Sequence, residues 1–245
     1  MSSLTEAIRL TTPQFHARVH ALAPKVAVFD CDGTLWSGDA GSAFMRWTMD
    51  TGLLWPDAAT WLRGRYDEYT RGQVSELVIC GEMVQVYRGL HVDALRAAAA
   101  EFFRHHVEPN IFPEMLSLVT ALQAAGTDIW AVSSTCDWVI EEGVRRFHIP
   151  ANRVLAARVE VIAGVATNRL LDVPTDEGKV ASLRHAGITA PDCVFGNSIH
   201  DAAMLAIALG SHATSGAFAV NPSADLLRRA AAEAWHAYFP ASVAP

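Results

Sequence analysis

Residues 26–36, reading Val-Ala-Val-Phe-Asp-Cys-Asp-Gly-Thr-Leu-Trp, constrain this chain more than any other stretch. Four apolar residues run straight into Asp30 and Asp32, and then into Gly33-Thr34. An unbroken apolar run of that length reads as a strand covered on both faces, the usual state of a central parallel strand. Asp30 then falls at the strand's C-terminal end, where open α/β sheets place their sites. Carboxylates in that setting are costly to desolvate unless a cation or hydrogen bonds offset the charge. Gly33 permits the sharp turn that lets backbone N–H groups face an anion. The arrangement points to metal-assisted chemistry on a phosphate. Two other readings stay open at this stage: Asp-x-Asp also occurs in calcium loops and acidic turns, and Asp-Gly after a strand is an ordinary hairpin signal.

The remainder of the chain reads as α/β. A polar start and a helix near 13–22 end at Pro24, ahead of the strand at 26–30. Apolar spacing of 3–4 predicts helices at 43–50, 55–69, 74–87 and 92–107, with Gly72 and Gly89 as punctuation. No buried strand is expected there, so residues 37–112 read as a helical insertion between 1–36 and 113–245. Alternation then resumes with a helix at 113–125, a strand at 128–132 and a helix from about Cys136 to Phe147. A hairpin is expected over 154–162 and 166–171, turning at Ala163-Gly164. Helices at 179–186, 202–209 and 223–235 interleave with strands at 193–195 and 218–220. Strands separated by helices imply a mostly parallel sheet with right-handed crossovers.

Three later segments carry further chemistry. Ser133-Ser134-Thr135 follows a strand and precedes a helix, so hydroxyls and free N–H groups there form a phosphate cradle, or simply cap the helix. Lys179 is one of two lysines in the chain, the other being Lys25. Residues 193–201, Cys-Val-Phe-Gly-Asn-Ser-Ile-His-Asp, form a strand running into Gly196-Asn197-Ser198 and Asp201.

Taken in order, these four segments resemble the motifs of the haloacid dehalogenase (HAD) superfamily: Asp-x-Asp-Gly-Thr, strand-Ser, lysine at a helix start, and Gly-Asp-(Ser/Gly)-x-x-Asp. The helical insertion and Ala219-Val220-Asn221-Pro222-Ser223 before the last helix are similar to its phosphoserine-phosphatase-like branch. The resemblance implies a Rossmann-like α/β core (1–36 and 113–245) with a helical cap (37–112). It implies a Mg²⁺-dependent phosphatase in which Asp30 attacks phosphorus to form an aspartyl-phosphate and Asp32 serves as acid and base. Ser133 and Ser134 would bind phosphate, and Lys179 would neutralise Asp30 and the transferring phosphoryl group. Asp30, the backbone carbonyl of Asp32, Asn197 and Asp201 would hold the metal. Asn197 stands where the family has an acid, so weaker Mg²⁺ binding is expected. Carbon–halogen cleaving members lack the second aspartate, so Asp32 argues for phosphoryl transfer.

The substrate side is less defined. Asp39, nine residues after Asp30, has the spacing of the acid that contacts the substrate amine in phosphoserine phosphatases, and equally reads as a turn aspartate. Arg46, Arg63, Arg65 and Arg71 are carboxylate-binding candidates. Trp47, Trp55, Trp61, Tyr66 and Tyr69 read mostly as helix-packing residues, with a few available for cation–π contact. His105-His106 at i, i+1 point apart and make no metal pair, and His200 reads as structural. A formal charge of −7 without a basic run argues against a nucleic-acid partner held by phosphate contacts. No window approaches a membrane span and no secretory signal is visible. Cys31, Cys80, Cys136 and Cys193 are scattered and read as free thiols. A cytoplasmic enzyme acting on a small phosphorylated metabolite is expected. Phosphotransfer to an alcohol, or a catalytically weak phosphate-binding protein, are the alternatives.

Overall fold

The computed structural model describes residues 7–210 and 215–241; the polar start at 1–6 lies outside them. Strand β1 (Ile8–Leu10) leads into helix α1 (Thr12–Ala21), and Pro24 separates α1 from β2 (Val26–Phe29). Helices α2 (Ala40–Asp50), α3 (Pro56–Thr70), α4 (Glu76–Gln85) and α5 (Val92–Phe102) follow without an intervening strand. Helix α6 (Pro113–Ala124) returns the chain to β3 (Asp128–Cys136) and α7 (Asp137–Val144). A hairpin of β4 (Val154–Ile162) and β5 (Val165–Asp172) comes next, then α8 (Glu177–His185), β6 (Cys193–Gly196) and α9 (Ala202–Leu205). The chain closes with β7 (Ala217–Val220), α10 (Ala224–Glu233) and β8 (His236–Tyr238).

The strands form one sheet in the order β1-β8-β7-β6-β2-β3-β4-β5. Every pairing is parallel except β4 with β5. Strand β2 has β3 on one side and β6 on the other, so the winding direction reverses at its C-terminal end. Alternation along β2 feeds two cores, because successive side chains point to opposite faces. Ala27 and Phe29 enter the core shared with α1, α6 and the helices after β2, whereas Val28 joins Val132, Val194 and Leu226 on the other face. Phe29, Phe195 and Phe218 continue one stacked row across three strands, with ring centroids 4.2 and 5.1 Å apart.

The expected hairpin turn at Ala163-Gly164 is present, both residues having positive φ (50° and 79°), as a two-residue primed turn requires. Three local expectations change. Ser133–Thr135 do not sit at a helix start: β3 extends to Cys136 with a register shift between Ser133 and Cys136, and α7 begins only at Asp137. The helix expected to run to Val107 ends its α-helical part at Phe102 and continues as a π-helical turn over Phe103–Val107. Strands β1 and β8 were absent from the sequence pattern, because three-residue strands offer no alternation long enough to recognise. Among the described residues, no helix is long and apolar enough to cross a membrane.

Candidate active site

Parallel register brings the ends of β2, β3 and β6 to one level. Phe29 pairs with Ala131 and with Phe195, and the Asp30 N–H donates to the Phe195 carbonyl at 2.9 Å. Asp30 and Asn197, which continue β2 and β6, and Ser133 of β3 therefore line one cavity of about 250 Å³ with Asp32 and Lys179. Lys179 comes from the first turn of α8, which runs up beside these strand ends. Its buried Nζ donates to Asp30 Oδ1 at 2.7 Å, to Asp201 Oδ1 at 2.5 Å and to the Val132 carbonyl at 3.3 Å. Asp30 Oδ2 accepts from the Thr34 hydroxyl at 2.9 Å. Burial, and then the charge of Asp201, push the Asp30 carboxyl up, against the pull of Lys179.

Asp32 is fixed by three donors. Trp36 Nε1–H and the Ala40 N–H both reach Oδ1 at 2.7 Å, and the Thr135 hydroxyl reaches Oδ2 at 2.8 Å. Burial and the nearby Asp39 raise Asp32 to about 6, while those three bonds hold it down. A carboxyl poised near neutrality suits a group that must both give and take a proton. Ser133 is buried, and its Oγ accepts the Thr135 N–H at 3.1 Å; Ser134 also lines the cavity. Sequence reasoning gave no role to Thr34 or Trp36, although Thr34 stands inside the Asp-Gly-Thr run, and it grouped Thr135 with the phosphate cradle rather than with Asp32.

Asp201, expected at the metal, lies just behind the cavity lining. It is fully buried and does not line the cavity. Its Oδ1 meets Lys179, and its Oδ2 accepts the N–H groups of Asn197 and Ser198, both at 2.9 Å. With both oxygens committed, the carboxylate braces the lysine and the 196–198 loop from behind.

A family model for haloacid dehalogenase-like hydrolases matches residues 27–206, a span that holds every one of these side chains. The chain belongs to that family. A curated relative in Mycobacterium tuberculosis, named a probable phosphatase, is 25% identical over 239 residues, covering 93% of this chain and 79% of its own. Among solved structures, a protein of unknown function from Bordetella pertussis Tohama I superposes with a TM-score of 0.75 at 24% identity, over 87% of this chain and 97% of the other. A probable phosphoserine phosphatase from Vibrio cholerae gives a TM-score of 0.60 at 14% identity, over 88% and 61% of the two chains. These structures share the fold.

Within this haloacid dehalogenase-like site, the donors around Asp30 suit a hard cation. The Asp30 carboxylate, the Asp32 carbonyl and the Asn197 amide are all oxygen donors, the kind Mg²⁺ takes. The Asn197 side chain has no hydrogen-bond partner among the described residues and lies against Gly33, where an added Cβ would sit 1.8 Å from Nδ2. Asp30 and Asp201 share a single ammonium, and Asp32 and Asp39 lie close to each other nearby, so the site carries more acids than cations.

The remaining candidates divide clearly. Asp39 caps α2, its Oδ1 accepting the Ser42 N–H at 2.9 Å, and it also lines the cavity. Tyr66, Tyr69 and His200 line it too, and His200 Nδ1 is 2.8 Å from Asp176 Oδ1. None of the four candidate arginines lines it: Arg46 lies over the Tyr66 ring, Arg65 is held by Glu82, and Arg63 and Arg71 are exposed. Trp47 packs against Phe44 and Phe102, as a helix-packing residue would. Trp55 and Trp61 do not: they are 73% and 49% exposed and border a separate surface groove. His106 stacks on Phe102.

Proposed function

We propose that this hydrolase cleaves a small phosphomonoester, with Asp30 as nucleophile. The observation that carries the reading is the buried contact between Lys179 and Asp30, placed beside an Asp32 held by three donors. The mycobacterial relative named a probable phosphatase, and the probable phosphoserine phosphatase among the fold relatives, support phosphate as the group transferred.

An Asp30 oxygen attacks phosphorus as the bond from phosphorus to the alcohol oxygen breaks. Protonated Asp32 gives its proton to that departing oxygen, leaving an aspartyl-phosphate on Asp30. Asp32 then takes a proton from water, the water oxygen bonds to phosphorus, and the Asp30–phosphorus bond breaks to release inorganic phosphate. Lys179 answers the charge on Asp30 and the transferring group, and Ser133 and Ser134 receive phosphate oxygens. Asp201 acts as a positioning residue for Lys179. Asp30, the Asp32 carbonyl and Asn197 would hold Mg²⁺, which when bound supplies positive charge to the phosphate oxygens. Helices α2–α5, within residues 37–112, act as a cap over a core of 1–36 and 113–245, and residues of α3 and α4 close the cavity opposite Asp30.

Hydrolysis of p-nitrophenyl phosphate with and without Mg²⁺ tests this reading. Metal-dependent turnover that Asp30→Asn abolishes is expected. A folded protein with no turnover in either condition would sink it, and full activity in Asp30→Asn would show that the nucleophile is elsewhere.

A further inference from the structure

The chemistry above uses the inner half of the cavity and leaves Glu76 without a task. Glu76 opens α4, and its side chain is 16% exposed. Its Oε2 is buried without a hydrogen-bond partner among the described residues, Oε1 accepts from the Cys80 thiol at 3.5 Å, and the Tyr69 hydroxyl also interacts with the carboxylate. The N-terminus of a helix offsets part of the cost of such a charge. It does not pair the oxygen, and a desolvated carboxylate remains costly until a cation meets it. His200 Nε2 lies 3.9 Å away, beyond hydrogen-bond reach, and Asp176 holds the same ring through Nδ1. Glu76 faces the same cavity as Asp30 and Lys179, beside Tyr66, Tyr69 and Met83.

What the cavity lacks is equally informative. Among the described residues that line it, Lys179 is the single lysine or arginine, and its ammonium is shared by Asp30 and Asp201. Arg46, the nearest guanidinium in sequence to the cavity-lining Ser42, donates to the Ser42 hydroxyl at 3.2 Å and lies 5.2 Å from the Tyr66 ring centroid, outside the lining. Arg65 is turned to Glu82 and Glu68. A substrate carboxylate would therefore meet Glu76 and Asp39 and no guanidinium. An ammonium would meet a buried carboxylate and two tyrosine rings, the surroundings that attract a cation.

We infer that the phosphomonoester taken here is that of a small amino alcohol, cationic at its nitrogen and free of carboxylate, with Glu76 and the Tyr66 and Tyr69 rings receiving the ammonium. The inference rests on the phosphohydrolase reading above and narrows its substrate. It sets this chain apart from a phosphoserine-type selectivity, which needs a cation for the carboxylate.

Phosphate release from phosphoethanolamine, phosphocholine, O-phosphoserine and glycerol 3-phosphate tests it, with p-nitrophenyl phosphate reporting on the chemistry alone. For at least one amino-alcohol ester, kcat/KM should exceed those of O-phosphoserine and glycerol 3-phosphate by about tenfold or more. Glu76→Gln should collapse that ratio, mainly through KM. Equal or better use of O-phosphoserine or glycerol 3-phosphate overturns the inference, as does an unchanged ratio in Glu76→Gln. Either result leaves p-nitrophenyl phosphate turnover, and so the hydrolase reading, standing. Efficient O-phosphoserine turnover that Arg46→Ala removes would show that Arg46 enters the site and would overturn it too. Absence of p-nitrophenyl phosphate turnover in the folded wild type would sink both readings together.

Discussion

At Lys179 an ammonium that is only 2% exposed is shared by two carboxylates, 2.7 and 2.5 Å away. Burial works against the charged lysine, but Asp201 and Asp30 outweigh it and raise its pKa. Lys179→Met would leave both acids buried without a counter-charge, so we expect a loss of about 3–5 kcal/mol in denaturant unfolding together with loss of turnover. Thr135→Val keeps the shape and removes one donor from Asp32, so kcat should fall by roughly tenfold or more while KM changes little. Equal changes in kcat and KM would argue that Thr135 acts on binding. Asn197→Asp should lower the Mg²⁺ concentration for half-maximal rate, and an unchanged requirement would place Asn197 outside the metal shell. Asp30, Asp32 and Lys179 were legible because a buried strand ending in acids, and a rare lysine, are unusual in sequence. Thr135 and Glu76 were not, since their significance arises only when the bulge in β3 and the packing of α4 bring them to the cavity. Asp201 was legible as a motif residue but not in its orientation.

Among elements, the long periodic helices and the central strands followed from apolar spacing, whereas the edge strands did not. Strand β8 is recognisable only through its partners: His236 pairs with Ile8 and Phe218, and its ring stacks on Phe218 at 5.4 Å. His236 is buried, its Nδ1 has no hydrogen-bond partner among the described residues, and burial followed by the charge of Arg18 lowers its pKa. The neutral ring is the one the fold accepts, so its contribution is full above the ordinary histidine value of 6.5 and is lost as pH falls below it. Unfolding midpoints measured from pH 7 to pH 5.5 should fall less in His236→Phe than in the wild type; parallel curves would refute the assignment. His16 is lowered in the same direction and keeps part of the dependence in that variant. The β4–β5 turn is a second test at this scale. Gly164 has φ 79°, and an added Cβ would also push against the His91 ring, so Gly164→Ala should destabilise by roughly 1–2 kcal/mol.

For the whole molecule, the order of the elements explains why four distant segments make one site. The winding reverses at β2, so the ends of β3 and β6 flank Asp30, and α8 brings Lys179 across the same opening. The sequence was sufficient to read that much, because motif order and the strand–helix alternation point to one architecture. It was not sufficient for the pocket wall, where Trp55 and Trp61 stay at the surface and two tyrosines and Glu76 face the site. Covalent transfer to Asp30 is the step on which the proposed reaction depends. Rapid acid quenching of the enzyme during turnover, followed by mass spectrometry of its peptides, measures this directly. One phosphoryl group on the peptide containing Asp30, absent in Asp30→Asn, is the predicted result; turnover with no phosphoryl group on that peptide would contradict it.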